Sequence, residues 1–301
     1  MKHTFAPIRR LVPAAALLSG AMFFTPALAG VVEISSIQDR DVARMVSLGG
    51  SCNRCELSGR DLSGATFTGA TFTNATLVGA TLRGAELLGS DFSGSDFSRA
   101  DLRGAEMVGA NFSGATFANA NLQGAEAMGS RFSRANMRGA NLSSSELNGA
   151  NFNGAVLASA RFGSSEMIGV TLANVQAAGA DFSSAEINAS NLSNGNFDGA
   201  SFRSAELNSA RLSGGSFDRA DFRGASLRRA DIRGADLSRA RGLDAEQVSE
   251  ACGDSSTRLP GGLTARACRG SIRVIRTPPA PPVPPAPPVP PRQRNLVIAA
   301  D

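Results

Sequence analysis

The chain has 301 residues, with 30 basic and 26 acidic side chains and a formal net charge of +4; it has 17 Phe but neither Trp nor Tyr. That balance argues against a strongly acidic surface and offers no basic tract with interleaved aromatics for nucleic acid. His3 is the only histidine and Lys2 the only lysine, so a chain without its first residues lacks His-based triads, Schiff-base lysines and His-ligated metals.

Residues 1–29 come first. Lys2, Arg9 and Arg10 precede an apolar run from Leu11 to Phe24, and Ala27-Leu28-Ala29 follows. This reads as a Sec-type signal peptide cleaved after Ala29, with a periplasmic or secreted mature protein as the expectation. The run is too short, and broken by Pro13, to serve as a membrane anchor. In residues 30–54, the segment Ser36 to Leu48 has helical apolar spacing at Ile37, Val42, Met45, Val46 and Leu48 before Gly49-Gly50, so a short helix is expected ahead of Cys52-Asn53-Arg54-Cys55.

From 55 to 240 every fifth residue is apolar and, apart from Ala127 and Ala177, large, and the residue two before it is nearly always small: Leu57, Leu62, Phe67, Phe72 and Leu77 open the series, and Phe217, Phe222, Leu227, Ile232 and Leu237 end it. A period of five fits neither a helix at 3.6 nor a strand at two. It demands a repeat architecture, with the small and large positions inward and a turn at the Gly, Ser or Asn that closes each block. Blocks such as Ala100-Asp101-Leu102-Arg103-Gly104 resemble the pentapeptide-repeat family. The resemblance implies an all-β fold, a right-handed quadrilateral β-helix with short N- and C-terminal capping helices. About nine coils at about 4.8 Å would make a rod on the order of 45 Å long.

Two periodic features bear on this expectation. Phe72, Phe92, Phe112, Phe132 and Phe152 share one frame opposite Leu82, Leu102, Leu122 and Leu142; the two sides then exchange, with Phe162, Phe182, Phe202 and Phe222 opposite Leu172, Leu192 and Leu212. A ring opposite a branched chain keeps the filled cross-section constant. Glu86, Glu106, Glu126, Glu146, Glu166, Glu186 and Glu206 recur every twenty residues, and Leu88, Val108, Met128 and Ile168 occupy the outward position beyond them. These eleven residues are the candidate interaction face: an acidic column beside an exposed apolar line. Carboxylates about 5 Å apart in water repel by roughly 0.8 kcal/mol, which a basic partner or divalent cations would offset. Repeat duplication alone would also produce the column.

Residues 241–270 read as a C-terminal cap. A helix is expected over Leu243 to Cys252, started by an Asp244/Gln247 capping box and stopped at Gly253, with Cys268 in a following loop. CxxC-bearing N-terminal caps and cysteine-containing tails also resemble those of exported family members. Since the two cysteine pairs would lie at opposite ends of the rod, the expected disulfides are Cys52 with Cys55 and Cys252 with Cys268. Residues 271–301 include Pro-Pro-Ala-Pro-Pro-Val repeats that cannot donate backbone hydrogen bonds and are expected to be extended and disordered, serving as a tether or a docking segment.

The reading is an exported, non-enzymatic rod acting as a structural or protein-interaction module through the Glu/apolar face or the proline-rich tail. It has no catalytic residue, cofactor or metal ligand and no nucleic-acid partner, and a homodimer is compatible with it. One alternative is a DNA-mimic, gyrase-protecting protein of the kind found in the family, disfavoured by the leader and by Arg203, Arg211, Arg219, Arg223, Arg228, Arg229, Arg233 and Arg239 in the last coils. A second is a thiol redox protein acting through Cys52 and Cys55, which lead into a strand and not a helix N-terminus.

Overall fold

The computed structural model describes residues 50–268. The leader, the helix expected over 36–48 and the proline-rich segment 271–301 lie outside the described residues.

From Ser51 to Arg241 each block lies parallel to the block twenty residues on, beginning with Ser51 beside Thr71 and Glu56 beside Thr76 and ending with Asp221 beside Arg241. Four blocks therefore complete one coil of a β-helix. The backbone explains the period. In the block Asp101 to Ala105, the N–H of Asp101 donates to Ala80 O at 2.9 Å, Leu102 to Asn121 O at 2.7 Å and Gly104 to Gln123 O at 3.1 Å, while Ala105 closes the turn onto Leu102 O at 3.1 Å. One N–H of the five remains, that of Arg103, and the side chain two residues back takes it: Arg103 N donates to Asp101 Oδ1 at 3.3 Å. The same bond recurs from Ser93 to Asp91, Ser98 to Asp96, Ser113 to Asn111 and Ser183 to Asp181. Asp and Asn are therefore common at the outward position before the large residue because they supply this acceptor.

The interior is filled by the chain itself. The central Leu, Ile, Met and Phe residues and most of the small inward residues are fully buried. Phe72, Phe92, Phe112, Phe132 and Phe152 stack face to face with centroids 4.8 to 5.7 Å apart. The column then passes to the other side, Phe152 meeting Phe162 edge-on at 5.9 Å and 87°, and stacking resumes through Phe182, Phe202 and Phe222. Where a buried Ser takes the small slot, its hydroxyl is satisfied: Ser95 donates to Phe72 O at 2.6 Å and accepts from Ala75 N at 3.0 Å. Val175 makes one small slot unusually full, and Gly195 follows it one coil later. A Cβ on Gly195 would lie 2.5 Å from a ring carbon of Phe197 and 3.2 Å from Val175 Cγ2.

Past Arg241 the chain forms helix α1, Ala245–Glu250, started by the Asp244/Gln247 capping box. Gln247 Nε2 also donates to Phe222 O and Ala225 O, at 3.0 and 2.8 Å, and Val248 and Ala251 are buried. The helix is shorter than expected and Gly253 is not its stop. It ends at Ala251, whose backbone is extended, because Cys252 returns to the ladder beside Asp231 and Arg258 does so beside Asp236. Strand β1, Cys252–Gly253, pairs in parallel with β2, Arg266–Ala267, so Cys268 follows a strand and is not in a free loop. Asp254 ties this segment down by accepting from Gly234 N at 3.1 Å.

Gly242 marks the exit from the last coil. Its φ is +75°, and a Cβ there would lie 2.8 and 2.9 Å from the backbone N and Cα of Arg223. Gly104 also has positive φ, at +62°, but nothing within 4 Å. Gly104→Ala should cost about 1–2 kcal/mol for the left-handed conformation alone, and Gly242→Ala clearly more. Chemical denaturation of the two variants checks the order; equal losses would remove the close approach as the cause.

Candidate interaction face

The seven glutamates form one column. Glu86 lies beside Glu106, Glu106 beside Glu126, and so on without a break to Glu206, with Thr66 before and Ser226 after. All seven side chains are exposed. Their chemistry differs from that of the acids on other faces. Asp101, Asp221 and Asp231 hold the N–H two residues on and bind an arginine as well. The longer glutamate does not turn back in this way along the column. Among the described residues, the carboxylates of Glu106, Glu126, Glu146 and Glu186 have neither a hydrogen bond nor an ion pair. Glu86 accepts from Thr66 Oγ1 at 3.2 Å, Glu166 from Asn148 Nδ2 at 3.3 Å and Glu206 from Asn188 Nδ2 at 2.9 Å.

The line beyond the column is mixed. Met128 and Ile168 are exposed, at 36% and 43%, whereas Leu88 and Val108 are half-buried and so present less apolar surface than their outward position suggests. Asn148, Asn188 and Asn208 complete the line. Asn148 Oδ1 accepts from Ile168 N at 2.8 Å and Asn188 Oδ1 from Asn208 N at 2.9 Å, so an asparagine here takes over the acceptor duty that the glutamate leaves undone. Sequence reasoning overlooked these three, although they stand in the twenty-residue register of Leu88.

The arginine-rich end is largely neutralised within itself. Arg223 binds Asp221, Arg233 binds Asp231 at 2.6 Å, Arg219 and Arg239 share Asp218 at 3.2 and 3.0 Å, and Arg228 lies 3.9 Å from Glu250. Asp221 is buried, and the Arg223 guanidinium above all holds its carboxyl down to about 2 from 3.8.

Both expected cysteine pairs are disulfides, Cys52–Cys55 with Cα atoms 5.5 Å apart and Cys252–Cys268 with Cα atoms 4.7 Å apart. Asp231 Oδ1 lies 3.8 Å from Cys268 Sγ. Those sulfurs are committed to each other and the carboxylate to Arg233, so the three groups do not make a ligand set in this state.

A family model described as "Pentapeptide repeats" matches in eight copies, over residues 51–87, 61–99, 95–134, 135–174, 165–203 and 205–241. The chain belongs to the pentapeptide-repeat family. Among solved pentapeptide-repeat structures it is similar to HetL, a protein involved in heterocyst differentiation regulation from the cyanobacterium Nostoc sp. strain PCC 7120, with 27% identity, 76% of this chain and 91% of that chain covered, and a TM-score of 0.53. A trypsin-treated form of QnrB1, a plasmid-mediated fluoroquinolone resistance protein, matches at 22% identity over 68% of this chain and 91% of its own, with a TM-score of 0.46. A pentapeptide repeat protein of the Arabidopsis thaliana thylakoid lumen matches at 30% identity over 38% and 70%, with a TM-score of 0.27. The family and the HetL likeness make the coil a right-handed β-helix. No curated protein sequence matches the chain.

The Asp221 pairing gives this pentapeptide-repeat rod an acid limit. Because the folded-state carboxyl titrates below its ordinary value, its contribution is fully present above about pH 4 and is lost as pH falls through about 2. Thermal unfolding midpoints should therefore decline across that window, and Asp221→Asn should flatten part of the decline; an unchanged slope would show that other acids set it.

Proposed function

We propose that this chain is an exported, non-enzymatic pentapeptide-repeat rod, four-sided in section, with short helices covering its two ends, and that its acidic–apolar face binds a protein partner. One observation carries the reading. On a surface where most Asp and Asn side chains serve their own backbone, the glutamate column keeps several carboxylates without a partner among the described residues, beside the exposed side chains of Met128 and Ile168. The partner that suits this face is a basic, extended segment with apolar residues, which would relieve the repulsion along the column while covering the apolar line.

Support for export comes from the leader-like residues 1–29, with cleavage after Ala29, and from the two disulfides, which persist in oxidising compartments. Support for a non-enzymatic role comes from an interior occupied by the chain's own side chains and from the single histidine and lysine, both in the leader. The redox alternative would require Cys52 and Cys55 to exchange electrons from the edge of the first coil, where the pair leads into a strand and not into a helix whose N-terminus would lower a thiolate pKa. The DNA-mimic alternative would require an uninterrupted acidic surface, which the arginines of the last coils oppose.

The test is capture of partners from the exported fraction by the full chain and by a Glu126→Gln, Glu146→Gln, Glu166→Gln variant. A specific partner should be retained by the parent and weakened by about tenfold or more in the variant, with a loss that grows with ionic strength. Equal retention by both would remove this face from the function.

A further inference from the structure

Among the apolar residues beside the glutamates, Leu88, Met128 and Ile168 stand two coils apart, with the half-buried Val108 on the coil between the first two, and at about 4.8 Å per coil the three are about 9.6 Å apart. After the described residues the sequence has a matching rhythm: Ala280, Val283, Ala286 and Val289 recur every third residue among prolines. A polyproline chain advances about 3.1 Å per residue, so this side repeats about every 9.3 Å. Charge agrees as well. Arg269, Arg273 and Arg276 separate Cys268 from the prolines, and no acidic residue occurs from 269 to 300.

We propose that residues 269–291 of this chain lie along its own acidic–apolar face and occupy it until a partner displaces them. This inference rests on reading that face as a binding surface. The register follows from the two periods. With Arg276 beside Glu206, residues Ala280, Val283 and Ala286 come within about 3 Å of the levels of Ile168, Met128 and Leu88. The chain can reach that register. Cys268 is tied to Cys252, which lies beside Asp231, a little over two coil rises above Glu206, or on the order of 11 Å. The eight residues from there to Arg276 extend to about 26 Å. The face also makes no demand that prolines cannot meet. The strand N–H and C=O groups of Glu106, Glu126 and Glu146 are already paired between coils, and the N–H groups the glutamates leave without a side-chain acceptor, as at Val108 and Met128, call for carbonyls, which prolines keep. A proline run gives up little conformational freedom on docking, which favours even a contact built on a narrow apolar line.

Met128 supplies a direct reporter, because an exposed thioether oxidises readily and a covered one does not. The full chain and an Arg273→Glu, Arg276→Glu variant would be treated with dilute peroxide and sulfoxide followed by peptide mass. Met107, fully buried, serves as the control for an intact core. Met128 of the parent should oxidise about threefold or more slowly than that of the variant in low salt, and the difference should shrink at about 0.5 M salt. It should not change with protein concentration. Equal Met128 rates in the two chains would overturn the proposal, and so would protection that rises with concentration, which would seat a second copy on the face. No partner takes part in this measurement, so its failure is separable from failure of the capture experiment.

Discussion

One backbone N–H in every five has no place in the coil. The other four are used along the rod and in the turn, and the fifth, on the residue after each large inward side chain, needs an acceptor from outside the ladder. Asp and Asn are short enough to supply it from two residues away, and their hydroxyl-bearing neighbours often add a second bond, as Ser98 Oγ does to Asp96. Composition on each face follows from this need. Where the acceptor comes instead from the coil before, as from Asn148 to Ile168, the local Glu166 accepts from the Asn148 amide in return. Among the described residues, Glu106, Glu126, Glu146 and Glu186 neither serve their own backbone nor meet such an amide, and for that reason the column is the part of the surface with chemistry to spare.

Inside, the same period imposes a packing rule. Each coil must hold a nearly constant volume, because a void or an extra methylene costs about 1–5 kcal/mol. The transfer of the phenylalanine column from Phe152 to Phe162 satisfies that rule by exchanging rings and branched chains between sides. The Val175–Gly195 pair does so on a smaller scale.

Much of this is legible in the residues. A five-residue frame without an insertion can be read by eye, and a twenty-residue recurrence such as Glu86 to Glu206 states which side chains share a side. The capping box at Asp244 and Gln247 is equally local. The exceptions have a tertiary cause. Gly253 looks like a helix stop, but Cys252 is drawn back onto the ladder by Asp231 and by its bond to Cys268, so α1 ends earlier. Leu88 and Val108 look exposed by position, yet in the fold both are partly covered. The duties of Asn148 and Asn188 depend on which N–H groups lack an acceptor, and that requires the whole hydrogen-bond account.

Parallel rungs about 4.8 Å apart are also the geometry of amyloid, in which an open edge recruits the next chain without limit. Here the ladder narrows as it finishes: beyond the last full coil it offers Arg258 beside Asp236 and β1 beside Asp231, and then the two-residue β2, whose Arg266 and Ala267 face solvent and whose end is fastened by Cys268. A growing fibre would have to add onto a ledge two residues wide and carrying a charge. Reducing that one covalent tie would loosen the ledge, so thiol chemistry at the far end of the molecule bears on its colloidal lifetime as much as on its fold.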